Sequence, residues 1–304
     1  MKYYLGVDGG ASGSKYLLAD ENLNIICEMK GNPTNFLVRG SVEVSGQFLD
    51  RTVEIIQKNN IEISDLCSIV IGTTGAGRTT DAKLLKDQVT KDAFSRNLVF
   101  SKIEIVSDAR IALEGAFSGN PGCILIAGTG SIMFGKDEIG NIHRIGGYGR
   151  YIGDEGSGYR IGRRALNAVA RAFDSRAKQT RIADLLSQEF SISSPEELIT
   201  AVYSNNFEIP SVTPLVFDAA ESGDVTAQKI LEDEADELLL HITAMRLKIN
   251  VHILKISLIG SILTTPNYFS YLFNEKIVRN FIDVKIIEPE KSPQYGAVLM
   301  AKEL

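Results

Sequence analysis

One pattern opens this chain and returns in its middle. Tyr3-Tyr4-Leu5-Gly6-Val7-Asp8 reads as an apolar strand that runs into the turn Gly9-Gly10-Ala11-Ser12-Gly13-Ser14-Lys15, and Tyr16-Leu17-Leu18-Ala19-Asp20 then reads as a second strand. Cys123-Ile124-Leu125-Ile126-Ala127 runs likewise into Gly128-Thr129-Gly130-Ser131, with the strand Ile132-Met133-Phe134-Gly135 beyond it. Glycine lets the backbone approach a ligand and turn its N–H groups inward, while Ser and Thr add hydroxyl donors, so such turns suit phosphate. A single turn of this kind also closes ordinary hairpins. Two of them, each opening a similar half of the chain, point to a nucleotide held between two related domains.

The length of 304 residues favours two domains. The turn Gly119-Asn120-Pro121-Gly122 marks the boundary, giving 1–118 and 119–304. A formal net charge of -6 argues against nucleic acid or an anionic membrane as partner, and leaves small ligands. No apolar run approaches the roughly 18 residues of a membrane span. Asp8 falls too early for a secretory leader, so a cytoplasmic location is expected. Cys27, Cys67 and Cys123 are scattered in apolar strand-like sequence and read as buried, reduced packing residues without disulfide or metal spacing.

Strands are expected at 2–8, 15–20, 24–30, 67–72 and 103–106, with helices at 42–59, after residue 78 and at 109–117. The second half repeats the opening with strands at 123–127, 132–135 and 142–145. A mostly helical stretch follows, and then strands at 255–259 and 284–287 and a last helix from Pro293. Within the helical stretch, Ala227, Leu231, Ala235, Leu238, Ile242 and Met245 form one apolar stripe and read as core. This alternation specifies an α/β fold with mixed sheets flanked by helices.

Asp8 ends a strand at the first glycine turn, where ligands of open α/β sheets gather. A carboxylate there suits Mg²⁺, held largely through water, or simply caps the turn. Asp108 ends another strand just before a helix and reads equally as an N-cap or as a general base for an attacking hydroxyl. The densest segment, Gly146-Gly147-Tyr148-Gly149-Arg150-Tyr151-Ile152-Gly153-Asp154-Glu155-Gly156-Ser157-Gly158, carries six glycines and two acids beside aromatic residues. It reads as a small-molecule loop suited to a neutral polyol such as a sugar. His143, His241 and His252 are isolated and read as structural. Neither a Walker A sequence nor a nucleophile elbow occurs.

Together, Val7–Lys15, Gly31-Asn32-Pro33-Thr34-Asn35, Ser107-Asp108-Ala109, Gly128–Ser131 and the Gly147–Ser157 segment occur in an order that resembles the eukaryotic-type N-acetylglucosamine kinases. They also resemble the wider BadF/BadG/BcrA/BcrD ATPase family of the actin, sugar kinase and heat-shock ATPase superfamily. The resemblance covers nearly the whole chain. It implies two ribonuclease-H-like domains enclosing ATP, Mg²⁺ and a small-molecule amino sugar, with the final helix 293–304 packing back on the first domain.

It further implies that Asp8, Gly10, Ser12, Ser14, Lys15, Gly128, Thr129 and Gly130 serve the nucleotide phosphates and metal. Gly223, Gly260, Ser261 and Thr265 would flank the adenosine. Asp108 would be the catalytic base, and Asn35, Asp108, Gly147, Tyr148 and Asp154 would contact the sugar. The implied reaction is phosphorylation of N-acetylglucosamine to its 6-phosphate, with glucosamine, N-acetylmuramic acid or a non-catalytic sugar sensor as alternatives. Tyr148 and Asp8 depart from the mammalian-type Trp and Glu, and the first departure bears on which sugar fits. Homodimers are common among similar proteins. The family's redox activators carry a cysteine-held cluster, for which three cysteines on separate strands offer no paired ligands.

Overall fold

The computed structural model describes every residue, Met1–Leu304. In chain order it runs β1 Tyr3–Gly9, β2 Ser14–Asp20, β3 Ile25–Gly31, α1 Phe36–Arg39, α2 Ser41–Lys58, β4 Leu66–Thr73, α3 Thr79–Ser95, β5 Ile103–Ser107 and α4 Asp108–Ala116. There follow β6 Gly122–Ala127, β7 Ser131–Lys136, β8 Ile142–Gly146, α5 Gly158–Phe173, α6 Arg181–Phe190, α7 Pro195–Ser204, α8 Thr213–Glu221 and α9 Val225–Lys248. The chain closes with β9 Leu254–Ile259, α10 Ser261–Thr264, α11 Tyr268–Asn280, β10 Val284–Ile286 and α12 Pro293–Glu303. It divides into two compact units, Met1–Gly122 with Glu288–Leu304, and Cys123–Ile287.

Each unit is built on one five-stranded sheet, ordered β3-β2-β1-β4-β5 in the first and β10-β9-β6-β7-β8 in the second. The repeat read in the sequence is thus a repeat of topology. In the first unit, β1 to β3 form an antiparallel meander, and β4 and β5 then join in parallel. In the second, β9 pairs in parallel with β6 and β10 with β9.

In the first unit helices cover both faces of the sheet. Leu5, Val7, Ile69 and Ile71 pack on Val44, Phe48 and Leu49 of α2 and Leu85 and Val89 of α3. On the other face Val70 meets Ile111 of α4 and Ala297 and Ala301 of α12. This double cover explains why β4 reads as one continuous apolar run rather than an alternation. α12 lies so close to β1 that a Cβ at Gly6 would sit 2.2 Å from the Gln294 carbonyl oxygen, so only glycine fits.

The second unit has one large core, in which all six stripe residues of α9 are fully buried. Two sequence expectations need correcting. Cys123 is buried and its thiol is pushed up to about 12 by that burial, but Cys27 and Cys67 are only half-buried. Cys27 lies on β3, an edge strand of the sheet, and Cys67 at the start of β4. His143 is not isolated, because its Nε2 lies 2.9 Å from Asp137 Oδ2 within the β7–β8 hairpin.

Candidate functional site

In the first unit the candidate residues gather at the carboxyl ends of β1, β4 and β5. The turn after β1 is closed by Gly10 N–H donating to the Gly13 carbonyl at 2.8 Å. The Gly10 carbonyl in turn accepts from Thr34 N–H at 3.0 Å, which brings Asn35 beside the turn. Ser12 stands exposed at the tip, whereas Ser14 is buried and its hydroxyl donates to the Asn32 carbonyl at 2.9 Å. Ser14 therefore holds the turn in shape, and its hydroxyl is not free to face a phosphate. Lys15 is exposed and sits opposite Asp8 in the β1–β2 register.

Asp8 is half-buried, and burial pushes its carboxyl above the ordinary 3.8. The Lys15 ammonium pulls it back down, and the Asp108 carboxylate raises it again. Asp8 and Asp108 therefore share one field. Asp108 is not the N-cap of α4. Ser107 is, with extended backbone (φ -69, ψ 152) and its side chain accepting from Arg110 N–H at 3.2 Å. Asp108 is instead the first helical residue. Its Oδ2 accepts from the Thr74 hydroxyl and its Oδ1 from Ala109 N–H, both at 2.8 Å. Thr74 is the first residue beyond β4, and no motif in the sequence marks it. The Oδ1 of Asn35 is buried and has no hydrogen-bond partner.

The second unit brings its own candidates around the β6–β7 turn and the start of α5. Gly128 N–H donates to the Gly130 carbonyl at 2.9 Å, and the Gly128 and Thr129 carbonyls accept from Gly158 and Tyr159 N–H of α5 at 2.8 and 3.2 Å. A cavity of about 380 Å³ joins Gly128, Thr129, Ser261 and Thr265 with Phe217 and Ile262 as apolar walls. Two segments more than a hundred residues apart in sequence thus meet in one pocket. Gly260 stands just before Ser261, packed on the end of β6 near the Ala127 carbonyl. Gly223 does not line this cavity; it turns the chain between α8 and α9 in open space.

A second cavity, about 550 Å³, shares Thr129 and adds Gly130, Asp154, Arg150, Tyr159 and Glu208. Asp154 has φ 59, an unusual backbone for a non-glycine residue, and burial raises its carboxyl above the ordinary 3.8. Gly147 and Tyr148 do not line that cavity, and Tyr148 is 70% exposed. Its ring lies 5.8 Å from the Arg144 guanidinium, which also donates to the Gly146 and Gly147 carbonyls. The rest of the segment is fastened from below. Ser131 Oγ donates to the Glu155 carbonyl at 2.6 Å, and Gly156 N–H donates to Glu234 Oε2 at 2.7 Å. A Cβ at Gly156 (φ +74) would strike Leu238 at 2.2 Å. Glu234 was one acid among many in α9, and no local spacing marked it.

No group of three or more His, Cys, Asp or Glu side chains forms a metal cage. One carboxylate beside a phosphate turn still fits Mg²⁺, which keeps most of its waters and takes its other ligands from phosphate. The raised Asp8, sharing its field with Asp108, is the acid that a nearby cation would stabilise.

A family model described as the BadF/BadG/BcrA/BcrD ATPase family matches residues 5–301. The N-acetylmuramic acid/N-acetylglucosamine kinase of Clostridium acetobutylicum is 32% identical over 99% of both chains. The N-acetyl-D-glucosamine kinase of Dictyostelium discoideum is 27% identical, covering 98% of this chain and 97% of its own. Among solved structures, a Chromobacterium violaceum protein with a provisional N-acetylglucosamine kinase assignment matches in fold with a TM-score of 0.73. It is 21% identical over 99% of each chain.

Proposed function

The chain belongs to the BadF/BadG/BcrA/BcrD ATPase family, and from that premise we propose that it is an ATP-dependent kinase that phosphorylates a hydroxyl of an amino sugar. The acceptor proposed first is N-acetylglucosamine, at its 6-hydroxyl. The observation that carries the reading is the Asp108 carboxylate, held by Thr74 and Ala109 at a strand end and sharing its field with Asp8. The full-length similarity to two amino sugar kinases supports it.

Ser12 in the first unit, and Thr129 and Gly130 in the second, would meet phosphate oxygens through N–H and hydroxyl groups, while Gly10 and Gly128, whose N–H groups close their own turns, would let the backbone approach the phosphates. The cavity at Ser261 and Thr265, with Phe217 and Ile262 as walls, is apolar enough for a purine. Asp8 would hold Mg²⁺, which when bound draws charge from the transferring phosphoryl group.

The two donors on Asp108 fix its carboxylate so that a free lone pair can take the proton of the acceptor hydroxyl as that oxygen attacks. Asn35, held beside the first turn by the Thr34–Gly10 hydrogen bond, would contact the sugar. Asp154 would accept from a sugar hydroxyl, and its raised proton affinity strengthens such a bond. Gly147 and exposed Tyr148 would approach the same sugar once it is bound, and the N-acetyl group sets which sugar they admit. A coupled ADP-release assay over a panel of amino sugars tests this. ATP turnover is expected to be slow alone and strongly stimulated by N-acetylglucosamine. Equal rates with and without every amino sugar would leave an ATPase or sensor in its place.

A further inference from the structure

A cavity of about 670 Å³, larger than either described above, lies between α5 and α9. Arg163, Arg164, Asn167 and Arg171 line it from α5 and Lys229 from α9, over an apolar floor that includes Ile230. None of these residues lines the two cavities at the glycine turns. Two of its four cations are already spent: Arg164 pairs with Asp233 and Glu234, and Lys229 with Asp233. Arg163 and Arg171 are exposed and make no ion pair. In a chain of net charge -6, two guanidinium groups outside ion pairs on one groove run against the overall trend, and Arg171 also helps hold the neighbouring Asp174 carboxylate below its ordinary value.

Residues 163, 167 and 171 follow the i, i+4, i+8 rule, so they form a single row, its ends about 12 Å apart along the axis. Guanidinium forks match phosphate oxygens in pairs, Asn167 adds an amide donor midway, and the apolar floor accepts an uncharged body.

Arg164 also reaches beyond the groove. Its Nη1 lies 3.2 Å from Glu234 Oε1, and the other oxygen of that carboxylate, on a residue 1% exposed, holds Gly156 N–H two residues from Asp154. We propose that this groove is a second, regulatory site for a small phosphate monoester, and that its occupant acts on the glycine-rich segment through Arg164 and Glu234. The coupling rests on the reading of that segment as the acceptor site; the binding does not. An anion that draws Arg164 away leaves Glu234 as a buried carboxylate without its cation, a costly state that the segment relieves by shifting. Acceptor affinity then falls.

Calorimetry with N-acetylglucosamine 6-phosphate, glycerol 3-phosphate, inorganic phosphate and unphosphorylated N-acetylglucosamine tests the binding. The two esters distinguish the enzyme's own product from an unrelated metabolite. The wild-type protein is expected to bind at least one ester more tightly than inorganic phosphate. Arg163→Ser/Arg171→Ser should weaken that binding by about tenfold or more, with ATP and sugar affinities unchanged. Glycerol 3-phosphate, which is not the product and does not compete as one at the acceptor site, should raise the acceptor KM in wild type but not in the double variant. Glu234→Gln should keep the binding and lose the KM effect. Matching isotherms for wild type and double variant, no ester heat in either, or inorganic phosphate binding as tightly as both esters would overturn the site. A KM effect that persists in Glu234→Gln would overturn the coupling. If no amino sugar is a substrate, the isotherms still decide the binding, so the two readings fail separately.

Discussion

At the scale of single residues, the two acids of the first unit differ in what surrounds them, and their substitutions should differ too. Asp108→Asn leaves the Ser107 cap of α4 untouched, and an amide oxygen can keep one of the two accepted hydrogen bonds. Folding should weaken by about 1 kcal/mol, the usual worth of one such bond. Turnover should fall by about 10² to 10⁴, the typical contribution of a positioned general base. Affinities for sugar and ATP should change much less, because the lost interaction belongs mainly to the transition state. Near-wild-type kcat would reduce Asp108 to a structural acceptor.

Asp8→Asn is expected to act in the opposite sense on stability. Burial raises the Asp8 carboxyl in the folded protein above the ordinary 3.8. Its favourable contribution is therefore present below that value and lost as pH rises through the folded one. At pH 7 the charged form is a burden, so the variant should melt higher, on the order of 2 °C, while binding MgATP more weakly. The gain should shrink as the pH is lowered toward 4. A lower melting temperature at pH 7 would contradict the desolvation account.

At the scale of elements, the site depends on segments fitted to one another with little slack. A Cβ at Gly130 would stand 2.9 Å from Asp154 Oδ2, so Gly130→Ala should push that carboxylate aside. Its backbone φ is not in the left-handed region, so folding should be little affected. If Asp154 contacts the acceptor, kcat/KM for the sugar should fall by about tenfold to a hundredfold. Unchanged sugar kinetics would remove Asp154 from the acceptor site. The elements themselves were largely legible in the sequence. The α9 stripe has helical period and is buried throughout, and β4 is apolar throughout because helices cover both its faces.

Partners distant in sequence were not legible. Asp108 is bonded to Thr74 across 34 residues and Gly156 to Glu234 across 78, and no local periodicity records such pairs. The choice between Ser107 and Asp108 as cap was equally hidden, since both are good capping residues and only the backbone angles decide. Gly223, singled out through the family resemblance, lies at the turn between α8 and α9 and does not line the Ser261 cavity.

At the scale of the whole molecule, the first unit is assembled from both ends of the chain. Residues 288–304 belong to it, and α12 covers Leu17, Val70 and Ile111. Burying such side chains contributes about 1.5–3 kcal/mol each, together comparable with the roughly 5–15 kcal/mol margin of a domain. A chain stopped at Ile287 should therefore be cut readily by protease within residues 1–122 and resist within 123–287. Equal resistance of the first 122 residues in the stopped and full chains would show that α12 is dispensable. The same arrangement bears on synthesis. Residues 1–122 leave the ribosome before residues 288–304 and cannot complete their sheet cover until those are made. At roughly 5–20 residues per second this is a wait on the order of ten to thirty seconds. The second unit, contiguous in the chain, can close during that interval. The unit bearing Asp8 and Asp108 is thus begun before the second unit and completed after it.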